Sequence, residues 1–522
     1  MAQDDKFELN TINVSEEPMA MGDKPSHSAS ALEQQTRTRR LFSSAQLFAF
    51  NLVYLGTWYS TGSNMYFALA NGGPATWLFS YIIVSFGALC QAASFAELAS
   101  IQPIAGAQYT WTYHFAPKSL KLFLTWTQGW ITWLAYVALL ASCLNSNTVV
   151  FEGLIQLAHP DYVPGGWHTT LIILAMLLFC TLVNIYAFKI VPWFELLSGI
   201  LNVCLFLIFL VVLWVMSPRN SPDVFLVKNI SSGWDNYFIS ANLGALSNIF
   251  LFISFESVVH MGEETRDAKK SVPRAVFWSV VSNSVLGLIM LITFGVSSFG
   301  EICMPALDIL LNSSSPLVTI LVYATGEKVT TGLVSGLVLM GISGNMGVVS
   351  SVSRLTWAWA RDGGLPQYFG YVDAKQRVPL RAVLLTCSIV GCLSLLNIGT
   401  STYIAFGAIT SLSSLAAYLS YAIVLACVLY ARITNTITLG EWTMGKAGPF
   451  VNLVGLLYTL WVMVFLPFPN NLPVTASNMN YCGPVFGAVL VGTIGVWFLR
   501  AKGRWQGPNR AVVDFVLQNE LQ

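Results

Sequence analysis

The sequence predicts an all-α, polytopic membrane protein with twelve transmembrane helices. Three observations predict it. Of 522 residues, 55% are hydrophobic and only 10% charged, against about 25% charged in soluble domains. The apolar residues fall into long runs, each near or above the roughly 20 residues that cross a hydrocarbon core. The basic residues are segregated: of 26 Lys and Arg, only Arg219, Lys228 and Lys328 fall on one side of the implied membrane. Basic residues stay in the cytosol during insertion, so this bias gives the orientation. The net charge of +1 and the lack of a basic face outside those loops argue against nucleic acid as a partner.

In chain order, residues 1–41 read as a disordered cytosolic tail, polar and ending in Arg37, Arg39 and Arg40. No cleavable signal precedes the first apolar run, which serves as its own signal. The predicted spans are 42–70, 75–101, 122–150, 169–187 and 190–216, then, after an outer loop at 217–238, 239–262, 274–298, 330–358, 380–397 and 402–430. Spans eleven and twelve lie within 449–500, and 501–522 is a second cytosolic tail. Both termini are then cytosolic. Ser315–Gly326 is apolar but only half a span long. Counting it as a crossing would put Arg354, Arg361, Lys375, Arg377 and Arg381 outside, so it reads as an interfacial helix in an outer loop. The outer loops carry the sequons of Asn229 and Asn312, which permit glycosylation. Of nine cysteines, only Cys303 and Cys482 fall near outer surfaces. One bridge between them is conceivable. There is no CxxC, and neither metal nor cofactor is expected.

Two spans break the pattern of an uninterrupted apolar helix. Span one carries Gly56, Thr57, Trp58, Tyr59, Ser60, Thr61, Gly62 and Ser63 at its middle. Small and hydroxylated residues weaken a helix there. The competing reading is close helix packing through small residues. Span six carries Glu256 deep in its apolar run, between Ser254 and Ser257 and beside Phe252 and Phe255. An intramembrane carboxylate marks a functional site by default. Interrupted helices five spans apart point to an inverted-repeat transporter, with the substrate at the two interruptions. On this reading Gly56–Ser63 is unwound and takes the polar or carboxylate end of a substrate. Glu256 meets a positive charge, and Trp58, Tyr59, Phe252 and Phe255 supply rings for an ammonium group.

Four motifs extend that inference: Phe95-Ala-Glu97 through Pro103, Gly106, Gln108, Tyr109 and Trp111; His260-Met-Gly-Glu263-Glu264; Val272-Pro273-Arg274-Ala275; and Ser353-Arg354 through Arg361-Asp362 to Pro366. In their order and spacing, over roughly residues 40–505, the chain resembles fungal members of the amino acid–polyamine–organocation transporter superfamily. The branch it resembles is that of the amino acid/choline permeases, including γ-aminobutyrate and choline permeases. The resemblance implies a leucine-transporter-like fold, with five-helix repeats at 42–216 and 239–430 and two further helices at 449–500. It also implies proton-coupled secondary transport, with the broken segments as the substrate site. Where γ-aminobutyrate permeases show a Gly-Tyr-Asp-like stretch in span six, this chain has Ser254-Phe255-Glu256, which keeps the charge and changes its reach.

Further candidates follow from position. Asn345 of span eight is a lining residue, and Phe406 of span ten a lid by fold analogy. Glu97, Gln108, Glu263, Glu264 and Arg354 form an inner gate. Glu195, one turn into span five, and Glu256 are proton-coupling candidates; for Glu195 the plainer reading is a residue snorkelling at the inner interface. The function expected is import of a small amino acid or amine with a proton, at a plasma or vacuolar membrane. Choline or polyamine transport, export of a specialised metabolite and nutrient sensing remain alternatives. No enzyme motif is present: there is no GxxxxGK[ST] and no metal triad.

Overall fold

A computed structural model describes residues 40–217, 219–298, 310–311, 313, 315–399, 402–475 and 478–509. The predicted tails lie largely outside these residues. Cys303 and Asn312 lie wholly outside them.

The described chain is helical, and strand pairing is limited to two isolated bridges. Among the described residues, ten helices are long and apolar enough to cross a bilayer. That is two fewer than the predicted spans, for a physical reason. Predicted spans one and six are each broken into pieces, so neither offers one uninterrupted crossing helix. Segment one is Ser44–Leu55, Thr57–Ser63 and Met65–Ala70. Segment six is Tyr237–Gly244, Leu246–Phe250, a non-helical stretch, and a 3-10 helix at Ser257–Glu264.

The others follow the prediction closely: Gly73–Ile101 (span two), Lys121–Ala158 (three), Gly166–Tyr186 (four), Val191–Met216 (five), Ala268–Ser298 (seven), Glu327–Arg361 (eight), Leu380–Ser394 (nine), Thr402–Ile433 (ten), Gly448–Phe465 (eleven) and Cys482–Val496 (twelve). Span three has 38 residues, about 57 Å of helix at 1.5 Å per residue. It overruns a bilayer core and carries side chains from one end of the protein to the other. Leu171 and Leu178 of span four, Ile200, Leu207 and Val211 of span five, and Leu457 of span eleven are exposed. Apolar surface of this extent faces lipid rather than water.

The two broken segments are stitched together at both ends. The N–H groups of Leu41 and Phe42 donate to the Glu264 carbonyl at 2.8 and 3.1 Å, and the Arg266 N–H returns to Phe42 at 2.9 Å. At the far end the Ser231 N–H reaches the Ala70 carbonyl at 2.9 Å. Segments one and six therefore run antiparallel as a tied pair inside the bundle. Asn51 bonds them near the inner end, donating to the Phe255 carbonyl at 2.9 Å and accepting from Ser257 at 3.1 Å.

The apolar stretch after span seven forms the ten-residue helix Pro316–Thr325, too short to cross. Leu317, Ile320 and Leu321 are buried, so it is tucked into the bundle rather than lying at an interface as expected. Leu317 packs on Gly62, where a β-carbon would stand 2.6 Å from its Cδ1.

Candidate functional site

The first break is narrower than the sequence suggests. Only Gly56 leaves the helix, at φ +48°, and Thr57–Ser63 is helical again, not unwound. Hydroxyl side chains back-bond to carbonyls here, as Thr61 does to Thr57 at 2.8 Å, and so do not oppose the helix. A left-handed φ is cheap for glycine and costs about 1–2 kcal/mol for other residues. A β-carbon at Gly56 would also stand 2.1 Å from the Tyr59 hydroxyl. Asn283 of span seven bridges the gap. Its Oδ1 accepts the Thr57 N–H at 3.0 Å, and its Nδ2 donates to the Leu52 carbonyl at 3.4 Å.

The second break is held differently. Ser254 takes φ +58° without being glycine. Its N–H donates to the Tyr421 hydroxyl at 2.8 Å, and that hydroxyl donates to Glu256 Oε2 at 2.7 Å. Gln108 and Tyr136 donate to Glu256 Oε1 at 2.6 and 3.0 Å. Glu256 is thus fully buried with three neutral donors from three other elements. Each such charge-assisted bond offsets part of the desolvation cost of the carboxylate.

Between the breaks lies a small cavity of about 70 Å³. Segment one gives it Tyr54, Leu55, Tyr59, Ser60 and Ser63; span three gives Leu139, Cys143, Ser146, Asn147 and Val150. Segment six adds Phe250, Leu251 and Ile253, and span eight Leu337, Gly341, Gly344, Asn345 and Val348. Asn345 Oδ1 is buried without a hydrogen-bond partner, and the Tyr54 hydroxyl likewise has none of normal geometry.

Of the sequence candidates, Tyr59, Ser60 and Asn345 line this cavity. Trp58 turns away: its Nε1 donates to Asn202 of span five at 3.0 Å, and its ring packs on Phe206 and Phe209. Thr57 bonds the Leu251 carbonyl at 3.3 Å, and Gly62 faces the outer helix. Phe252 packs on Tyr81, and Phe255 on Phe95 and Tyr421. Phe406 stands edge-on against Phe250, one layer behind the wall. Glu256 also sits behind the wall. Glu195 is buried against span eight, not snorkelling, with Oε1 unpartnered and 3.5 Å from where a Gly347 β-carbon would lie. Tyr54, Phe250, Tyr136, Tyr421 and Asn283 were not singled out by the sequence; only Asn283, an amide inside an apolar run, carried a local signal.

At the predicted cytosolic end, buried ion pairs tie the elements together. Arg354 pairs with Glu264 at 3.0 Å and stacks over Phe188 at 4.0 Å, and Arg361 grips both oxygens of Glu263 at 2.9 and 3.0 Å. Both pairs are buried. Glu263 also accepts the Ala105 N–H at 3.2 Å, and His260 Nδ1 donates to the Ala105 carbonyl at 2.7 Å. A β-carbon at Gly262 would meet the Pro103 carbonyl at 2.1 Å. The Pro103–Trp111 motif therefore interlocks with the His260–Glu264 motif. Gln108, on the helix Ala107–Phe115, connects this cluster to Glu256. Tyr109 on the same helix donates to Asp362 at 2.7 Å. Glu97 belongs to a separate cluster. It pairs with Arg432 of span ten and accepts from Thr443 and the Met444 N–H, each at 3.1 Å. Asn229 is half-buried beside Gly73. Cys482 is a buried free thiol 3.5 Å from the Leu466 carbonyl.

A multi-pass helical bundle with two interrupted segments around a mid-bundle cavity defines the class: a membrane transporter, not an enzyme. The chain belongs to the amino acid permease family, which it matches over residues 42–491. It is 28% identical to a choline transporter of Saccharomyces cerevisiae over 94% of this chain and 87% of that protein. It is 25% identical to an amino-acid permease of Arabidopsis thaliana, over 88% and 90% of the two chains. It is 26% identical to amino-acid permease 2 of Neurospora crassa, over 90% and 86%.

Proposed function

We propose that this protein is a secondary active transporter importing a small amino acid or amine together with a proton, by alternating access. The observation that carries the reading is the cavity: both interrupted segments wall it, and Asn345, one of its lining residues, has a buried amide oxygen without a hydrogen-bond partner. Substrate sites at interrupted helices are the general solution of inverted-repeat transporters. The names of the relatives support the substrate class. On this reading segments one and six complete twelve crossings, 42–216 and 239–430 are the two five-helix repeats, and 449–500 is peripheral. The Glu–Arg pairs close the cytosolic side, so the conformation is inward-closed. Glu195 and Glu256, buried carboxyls without a cation, are the proton carriers. Glu256 also signals to the seal, because Gln108 bonds it from the sealing helix. A plasma-membrane site fits the importer role.

The test is radiolabelled uptake in permease-deficient yeast of γ-aminobutyrate, a neutral amino acid, choline and a polyamine, with and without a protonophore. Accumulation of one class that collapses with protonophore supports the reading. Binding without uptake, or release only from preloaded cells, contradicts it.

A further inference from the structure

The chain beyond span twelve returns to the centre of the bundle. Span twelve itself is peripheral: of Cys482–Val496, only Cys482, Phe486 and Thr493 are buried. Past Ala501 the backbone turns and lies across the predicted cytosolic end as a strap, residues 502–509. Trp505 Nε1 donates to the Asp362 carbonyl at 2.7 Å, and the Asn509 N–H donates to Asp362 Oδ1 at 3.1 Å. The Trp505 ring meets Trp126 of span three and Trp359 of span eight, with centroids 5.3 and 5.9 Å apart. Gly507 takes φ +93°, and a β-carbon on it would stand 2.5 Å from the Tyr113 ring. Pro508 is buried.

Asp362 caps span eight and joins the strap to the helix Ala107–Phe115. Its second carboxylate oxygen, Oδ2, accepts from Tyr109 of that helix at 2.7 Å. Tyr113, under Gly507, lies one turn further along the same helix. The strap therefore holds the helix in two ways, through Asp362 and through Tyr113. The residue before Tyr109 is Gln108, which reaches Glu256 of segment six. Adjacent residues thus tie one short helix to the second break on one side and to the end of span eight and the strap on the other.

The attachment is of a releasable kind. Lys502, Gly503, Arg504 and Gln506 are exposed and Trp505 is half-buried, so water can replace each donor when the strap lifts. Hydrogen bonds that water can replace contribute little net stability. The Glu263–Arg361 and Glu264–Arg354 pairs are buried, and separating them strands charges. A contact as weak as the strap biases an equilibrium between two conformations without fixing it.

We propose that residues 502–509 are a latch: docked on Asp362 and Tyr113 they favour the conformation closed to the cytosol, and lifted they favour opening. The proposal rests on the alternating-access reading.

Cys143 reports the opening, because among the described cysteines it alone lines the cavity. Inside-out vesicles from yeast expressing the full chain present the cytosolic face to an impermeant methanethiosulfonate, and Cys143→Ser supplies the background. Trp505→Ala removes one hydrogen bond and the ring contacts. Gly507→Ala drives the strap off Tyr113 and leaves Trp505 in the chain. Each should raise the rate of Cys143 modification from the cytosolic face about fivefold, the equivalent of one hydrogen bond. The rate from the outer face, measured on intact cells, should be unchanged or lower. Trp505→Phe, which keeps a ring and loses the donor, should fall between wild type and Trp505→Ala. A structural role alone would lower the melting temperature and change modification from both faces alike or from neither, and either result overturns the latch. So does the absence of cytosolic modification in every variant. Radiolabelled uptake by the same cells separates the two readings. Uptake with an unchanged cytosolic rate overturns the latch and leaves transport standing. A raised cytosolic rate without uptake of any compound sustains the latch and overturns transport. Neither a raised rate nor uptake overturns both.

Discussion

The cavity and the ion-pair cluster at the predicted cytosolic end are built on opposite rules. The cluster is charged and paired: Glu263, Glu264, Arg354 and Arg361 are buried, and each carboxylate meets a guanidinium. The cavity is neutral and under-satisfied: Asn345 Oδ1 is buried with no partner, and the wall carries no formal charge. In a network of buried ion pairs a missing member leaves a stranded charge. Under-satisfied groups are held in readiness for something that arrives. Substitutions in the cluster should therefore cost stability, and substitutions in the cavity should cost affinity.

The largest stability effect is expected at the ion-pair cluster. Arg354→Met strips Glu264 of its partner and should destabilise the protein by about 3–5 kcal/mol, read as a lowered melting temperature in detergent. Adding Glu264→Leu should restore most of the loss, because an apolar pair can replace a buried ion pair. A double variant no more stable than the single one would mean that packing, not charge, holds this end together.

Tyr421→Phe should come next. It leaves the Ser254 N–H without its acceptor and removes one donor from Glu256. An unsatisfied buried group costs about 1–3 kcal/mol, and uptake should fall with it because the second break loses its brace. Unchanged stability would show that Ser254 finds another partner.

Gly56→Ala should have a smaller effect on folding, about 1–2 kcal/mol from the left-handed backbone, and a large one on transport. The new β-carbon collides with Tyr59, which lines the cavity. Uptake near wild type would remove Gly56 and Tyr59 from the site. The smallest stability change belongs to Asn345→Leu, which deletes an orphaned polar atom. Its melting temperature should be unchanged or slightly higher while apparent affinity falls. A clear loss of stability would reveal a structural partner for Asn345 and weaken the contrast between the two regions.

Much of this arrangement was legible in the residues, because bilayer physics writes it locally. Apolar runs gave the long helices, Gly56 marked one break, and Glu256 marked the other. Asn345 was legible as an amide in an apolar helix. The rest was not, because it depends on which way side chains turn and on contacts between distant parts of the chain. Trp58 and Tyr59 are neighbours, yet one packs into span five and the other lines the cavity. The donors of Glu256 come from positions 108, 136 and 421, and no periodicity within span six announces them. Glu97 and Gln108 belong to one motif but serve two clusters, because Pro103 and Gly106 turn the chain between them. The four motifs are explained in part by the ion-pair cluster: Pro103–Gln108, His260–Glu264 and Arg354–Asp362 meet there, so their spacing encodes an interlock more than a ligand site.

The central claim is that the space between the two breaks is where substrate sits, and Cys143 gives direct access to it. Among the described cysteines it alone lines the cavity. Intact cells should be treated with a small, membrane-impermeant methanethiosulfonate, and uptake followed with and without saturating substrate. The account predicts that the reagent inactivates uptake, that substrate slows inactivation, and that Cys143→Ser removes the sensitivity. Inactivation that persists in Cys143→Ser, or that substrate does not slow, would contradict it.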